Sequence, residues 1–206
     1  MNSDELLCRR LAVGGAALIY WAGVFIHARR IRKRIGHSPN LKPRGARERL
    51  LWAGWLLVVG AWIGQPLLVV VVASPLAGFQ FSHSLLLPST LILGLALTVG
   101  GYVATLWCYR TMGNAWRIGI NRQEKNQLVT QGPYRWIRHP IYAFQAVMLA
   151  GGILLLPTLC SLAILLIHLV CVFAKARDEE TYLLTVHGDA YRGYLSRTGR
   201  LFPKLW

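Results

Sequence analysis

Two groups of residues in this 206-residue chain have types and spacing suited to chemistry. The first is the run Gly-Pro-Tyr-Arg-Trp-Ile-Arg-His-Pro-Ile-Tyr from Gly132 to Tyr142. The second is Lys175-Ala176-Arg177-Asp178-Glu179-Glu180. An imidazole or a carboxylate can hold a proton, a guanidinium grips carboxylates with a fixed fork, and aromatic faces attract cations. Pro140 suits the first turn of a helix, which leaves Arg138 and His139 at its N-terminus. Unpaired backbone N–H groups there favour a bound carboxylate. A basic interfacial loop anchored by Trp and Tyr would carry the same first group, and a solvated helix end the same second group.

The two groups bracket an apolar segment, 141–174, with a turn signal at Pro157-Thr158. As a helical hairpin, it brings both groups to one membrane face. Taken alone, the segment also reads as one long bent span. Three more apolar stretches precede it, at about 11–28, 50–73 and 85–109. A straight crossing takes about 20 apolar residues, so these are long enough or nearly so, while 141–157 and 159–174 are short. Only 15% of residues are charged, and the mean hydropathy is +0.41. These values fit a small multi-span membrane protein rather than a soluble domain. The expected fold is an all-α integral membrane protein of about five transmembrane helices, with a C-terminal hairpin and a cytoplasmic amphipathic tail helix. Residues 1–109 form a three-span region and 110–206 the region with the chemistry, within one structural domain. The first stretch follows Arg9-Arg10 but lacks a convincing small-x-small cleavage site, so it reads as a retained helix.

The net charge of +15 invites a nucleic-acid reading, but the positions of the charges oppose it. Of 23 Lys and Arg residues, 21 fall in the segments 29–49, 110–140 and 175–206, which five crossings place on one side. By the positive-inside rule that side is cytoplasmic, with the N-terminus outside and the C-terminus inside. The charge is then a topology signal with attraction for anionic lipid headgroups, and no nucleic-acid partner is expected. Gln65-Pro66 marks an expected kink in the second stretch. Gly94, Gly100 and Gly101 are expected to let helices pack closely. His168 reads as a neutral, hydrogen-bonded packing residue. The four cysteines form no CxxC pair and read as small apolar residues; neither a disulfide framework nor a metal site is expected. Tyr182 to Leu195 reads as an amphipathic helix or two, broken near Gly188, and Arg197 to Pro203 closes over the site or the membrane surface.

Leu128-Val129-Thr130-x-Gly132-x-Tyr134, Arg138-His139-Pro140-x-Tyr142, a hairpin, Arg177-x-Glu179-Glu180 and Gly188-x-x-Tyr191-x-x-Tyr194 stand in sequence. This combination resembles the isoprenylcysteine carboxyl methyltransferase family and the related phospholipid N-methyltransferases, over about residues 110–203. The stretch Asn114 to Gly119 looks like that of bacterial members, which implies a bacterial inner membrane. The N-terminal half is similar only in being membrane-spanning. The resemblance implies S-adenosyl-L-methionine as cofactor, with an apolar lipid-like or prenylated substrate entering from the bilayer. Cofactor positions carried over are Gln127, Leu128, Val129, Tyr134, His139, Pro140, Ile141, Tyr142 and Glu179, with Glu180 adjacent. The basic residue for a substrate carboxylate falls at Lys175 or Arg177, with Arg138 a second candidate. Phe144 departs from the family, which commonly has Gly there, and is expected to narrow the pocket or redirect substrate.

On this reading His139 and neighbouring amides hold the cofactor carboxylate, while Glu179 or Glu180 takes its ribose hydroxyls or amino group. Tyr134, Trp136 and Tyr142 offer faces for adenine or the sulfonium. Arg138 or Arg177 orients an ionised carboxylate, which needs no base. An amine, thiol or phenol would need a proton acceptor, His139 or Glu180. Sterol and steroid reductases look similar in their C-terminal half but use NADPH, and usually have greater length and more spans. A non-catalytic lipid-binding protein is the third reading.

Overall fold

The computed structural model describes residues 3–40, 43, 45–71, 86–119 and 127–204. The expected connection 74–84, the end of the second apolar stretch and residues 120–126 of the cytoplasmic segment lie outside the described residues. The described chain is helical: α1 (Ser3–Ile35), α2 (Ala46–Val71), α3 (Pro88–Met112), α4 (Pro140–Leu155) and α5 (Leu159–Arg197). Helices α1, α2, α3 and α5 are each long and apolar enough to cross a membrane. α4 has 16 residues, about 24 Å at the helical rise. Each apolar stretch read from the sequence has therefore become a helix, and the last two form the hairpin. At its turn, the Thr158 hydroxyl caps α5 by accepting from the Ser161 N–H.

The helices pack by narrow stripes. On α1, Val13, Ala17, Tyr20, Val24, Ala28 and Ile31 are buried, at the spacing of three and four that keeps one helix face inward. Leu18, Ile92 and Val170 are each more than half exposed, as a lipid-facing surface requires. The closest seam lies between α3 and α4. A Cβ on Gly101 would meet Met148 Cγ at 2.6 Å and Phe144 O at 2.8 Å. A Cβ on Gly151 would meet Thr98 Oγ1 at 2.5 Å and Gly94 O at 2.7 Å. Glycine at these positions lets backbone approach backbone. Gly94 and Gly101 act as expected; Gly100 does not, because nothing lies within 4 Å of its Cβ position.

One further expectation is corrected. α5 does not end with its apolar stretch near 174 but continues through Glu180 to Gly188, where φ is +51°, before resuming to Arg197. No helix breaker lies between 174 and 187, and the Ala, Lys, Arg and Glu residues at 174–180 propagate a helix well. α2 continues as helix through Pro66. The carbonyl of Pro66 accepts from Arg10 Nε at 2.8 Å. Gln65 faces inward, 2% exposed, and donates to Thr158 Oγ1 at 2.8 Å and Ser161 Oγ at 2.5 Å. This clasp fixes the hairpin turn to α2. Beside it Arg9 is fully buried. Arg9 binds the carbonyls of Leu87 at 2.7 Å and Leu154 at 3.1 Å, and Glu5 Oε1 at 2.9 Å.

Candidate active site

The other end of the hairpin carries the charged residues. Gly132 opens a tight turn, Gly132–Arg135, with φ +55°. An added Cβ there would press on Thr111 Oγ1 at 2.8 Å, so both conformation and space call for glycine. Tyr134 is buried by this turn, and its carbonyl accepts from the Tyr194 hydroxyl at 2.6 Å. Residues 136–139 then run alongside the C-terminal segment. The Gly199 N–H donates to Trp136 O at 3.1 Å, the Arg138 N–H to Gly199 O at 2.9 Å, and the His139 N–H to Arg200 O at 3.1 Å. The segment after Arg197 therefore closes over the site. α4 starts immediately, with His139 as its N-cap and Pro140 in its first turn.

His139 is 7% exposed. Its Nδ1 lies 3.3 Å from Glu179 Oε2. Its Nε2 lies 3.3 Å from Glu180 Oε1, off the line of a good hydrogen bond. Burial by itself would lower the His139 pKa, but the two carboxylates outweigh it, and the net shift is upward from 6.5. Glu180 is also held by Arg138 Nε at 2.8 Å and by Arg200 Nη2 at 2.6 Å. Arg138 further donates to the Thr198 carbonyl. Glu179 accepts from the Tyr142 hydroxyl at 2.7 Å. The Tyr142 ring stacks on His139, with centroids 5.6 Å apart and planes within 6°. Lys175 Nζ sits 5.6 Å from the centre of the Tyr142 ring.

A cavity of about 580 Å³ opens beside this cluster, within the range of small-molecule sites. Gln127, Leu128, Val129, Tyr134, Arg138, His139, Pro140, Ile141, Tyr142, Lys175 and Glu179 all border it. The remaining sequence-derived candidates lie elsewhere. Glu180 sits behind His139, occupied by two guanidinium groups, and is not on the cavity wall. A carboxylate so engaged is a poor proton acceptor. Arg177 is exposed and off the wall, because it lies two residues from both Lys175 and Glu179, a turn of about 200° that puts it on the opposite face of the helix. Phe144 begins the α4 stripe that continues through Met148 and Gly151 against α3, so it does not narrow the cavity. Trp136 is 47% exposed and packs on Trp107. Arg138 borders the cavity, but its guanidinium is committed to Glu180 and Thr198.

An aromatic part of the lining was not anticipated. Tyr20 and Trp21 of α1 and Trp52 and Trp55 of α2 form it. Trp21 meets Trp55 edge to face, with centroids 4.9 Å apart. Gln145 donates to the Tyr20 hydroxyl at 2.5 Å, and Tyr20 is paired with the Tyr109 hydroxyl at 3.3 Å. Tyr134 and Tyr191 present buried hydroxyls that lack a hydrogen-bond partner among the described residues, and both border the cavity. Such orphaned donors fit a polar ligand. By helix geometry the N–H groups of Ile141 and Tyr142 in the first turn of α4 are also free of intrahelical acceptors. The residues present thus fit a cofactor bearing a carboxylate, hydroxyls and an aromatic ring. Among the described residues no group of three or more His, Cys, Asp or Glu is placed to hold a metal ion.

Fold and site together define a multi-pass helical membrane protein with a charged, partly aromatic cavity at one end of its hairpin. Residues 89–190, just under half of the chain, match the model of the phospholipid methyltransferase family. Two curated relatives are similar over a longer stretch. The cobalt-zinc-cadmium resistance protein CzcN of Cupriavidus metallidurans is 31% identical over 138 residues, 66% of this chain and 62% of that protein. The nickel-cobalt-cadmium resistance protein NccN of Alcaligenes xylosoxydans xylosoxydans is 26% identical over 137 residues, 66% of this chain and 61% of that protein. The chain thus spans about three-fifths of the length of these relatives.

Proposed function

We propose that this chain is an S-adenosyl-L-methionine-dependent methyltransferase acting on an apolar, membrane-resident acceptor. The observation that carries the reading is a cavity lined both by charged and polar residues and by aromatic ones. His139, Tyr142, Lys175 and Glu179 border it, and so do Trp21, Trp52 and Trp55. When bound, the cofactor supplies an electrophilic methyl group on a sulfonium. His139 and the first amides of α4 suit its carboxylate. Glu179 suits its ribose hydroxyls or amino group, and Tyr134 and Tyr191 offer hydroxyls to its polar edges. The aromatic lining takes the apolar acceptor and keeps water out. Lys175 is the cation available to orient an anionic acceptor, since Arg177 is off the cavity wall and the Arg138 guanidinium is committed to Glu180 and Thr198. Holding two reactants in line is the main source of acceleration in such a site.

The distribution of Lys and Arg supports a cytoplasmic site, and the basic end of α1, from Arg29 to Arg34, suits anionic headgroups. Calorimetric titration of the purified chain in lipid nanodiscs with S-adenosylhomocysteine and with NADPH tests the cofactor. Binding of S-adenosylhomocysteine is expected; binding of NADPH alone would replace this reading with a reductase, and binding of neither with a lipid-binding role. Incubation with methyl-labelled S-adenosyl-L-methionine and host membranes then identifies the acceptor by the labelled molecule.

A further inference from the structure

The C-terminal segment does more than cover the site. It runs beside residues 136–139 through three backbone hydrogen bonds and delivers Arg200 to Glu180. Arg200 Nη2 reaches Oε2 at 2.6 Å, and Nε lies 3.1 Å from both carboxylate oxygens. That fork fixes the plane of the carboxylate. Arg138 meets Oε1 of the same group, and His139 faces it on the cavity side. The strap has little freedom, because a Cβ on Gly199 would overlap the carbonyl of Phe202.

We propose that Arg200 is a positioning residue: acting through Glu180, it sets the orientation and charge of His139 and so prepares the cavity for an anionic ligand group. This deepens the cofactor reading above and rests on it for the identity of that group. The groups that face His139 are Glu179, Glu180 and, through it, Arg200 on the α5 and strap side, Arg138 next to it in the chain, and the Tyr142 ring on α4. Lys175 lies beyond that ring. With Arg200 in place, Glu180 has its charge met by two guanidinium groups and leaves part of the cationic character of His139 to the cavity. Without it, Glu180 turns wholly to His139 and Arg138. The imidazolium is then held more tightly by protein and is less available to a ligand.

The sign separates this role from a merely structural one. Loss of Arg200 removes a cation near His139, so the His139 pKa rises further. A strap that simply came loose would hydrate the site, and the pKa would fall back toward 6.5. The experiment uses the full chain in nanodiscs. It follows the His139 ring by NMR against pH and measures S-adenosylhomocysteine binding by calorimetry for wild type, Arg200→Gln and Arg200→Lys. Arg200→Gln is expected to move the His139 midpoint upward and to weaken binding by roughly tenfold or more, the scale of one charge-assisted hydrogen bond. Arg200→Lys, which keeps charge but loses the fork, is expected to leave the midpoint unchanged with intermediate affinity. A midpoint that falls in Arg200→Gln, or one that does not move, overturns the proposal. If Arg200→Gln does not fold, a midpoint shift in Arg200→Lys overturns it instead. Wild type failing to bind S-adenosylhomocysteine sinks the cofactor reading, while the midpoints still decide whether Arg200 governs His139.

Discussion

The hairpin has a polar cluster at each end, and the two are built differently. At the turn, Arg9 and Gln65 are both buried, and their polar atoms end on backbone carbonyls, hydroxyls and Glu5. Neither lines the cavity that borders His139. At the open end, Arg138, His139, Glu179, Glu180 and Arg200 are equally interlinked. There, however, a cavity runs along one side, and the hydroxyls of Tyr134 and Tyr191 are left over. Burial of charge therefore does not mark function in this protein. A buried charged group whose partners are all protein is a fastener; one that shares a wall with unsatisfied donors is a site.

The comparison can be broken most directly by removing its central carboxylate. Glu180→Gln leaves Arg138 and Arg200 facing a neutral amide, and breaking a buried pair costs about 3–5 kcal/mol. Denaturation in mild detergent should show that loss, and S-adenosylhomocysteine titration should show binding lost with it. Arg9→Met at the other end should cost stability on a similar or smaller scale, about 3 kcal/mol, yet leave the affinity of the folded protein unchanged. Weakened affinity in Arg9→Met would mean that the turn is part of the site. Gly151→Ala tests the seam between the ends: overpacking there should cost about 1–3 kcal/mol, read as a lower unfolding temperature with affinity retained.

The smallest effect is pH. His139 has its pKa raised above 6.5 in the folded state, because Glu179 and Glu180 outweigh the lowering effect of burial. The folded protein thus holds this proton more tightly than the unfolded chain. The stabilisation it brings is full below pH 6.5 and is lost as pH rises through the folded pKa. Stability of wild type should decline on that alkaline side, and His139→Gln should flatten the decline. Among the described residues no histidine takes part in the contacts of Arg9 and Gln65, so Arg9→Met should keep the wild-type slope.

Much of the architecture was legible because it rests on local physics. Apolar stretches of membrane length, the Pro157-Thr158 turn and the one-sided placement of Lys and Arg together specify helices and the ends of a hairpin. The wall from Gln127 to Tyr142, with Glu179, was legible as a motif. What escaped is what only tertiary contact decides. Trp21, Trp52 and Trp55 lie on apolar helices and look like any lipid-facing or core aromatic until α1 and α2 meet α5. Arg200 looks like one more charge of the basic tail until the strap folds back. Arg177 and Phe144 carried the right chemistry in the right segment, but helical phase turned each away from the cavity. The inward role of Gln65 escaped because its partners Thr158 and Ser161 are more than ninety residues away.

That phase has a consequence for how the molecule tolerates change. α5 runs without a break from Ser161 in the turn clasp to Glu180 at the site, roughly 28 Å of helix. The clasp is therefore the zero mark of a ruler, and the carboxylates are read off at a fixed count from it. Adding or deleting one residue between them would slide the pair by about 1.5 Å and rotate it by about 100°. Glu179 would then leave His139 with every contacting side chain still present. Composition can drift along this helix, but its residue count cannot.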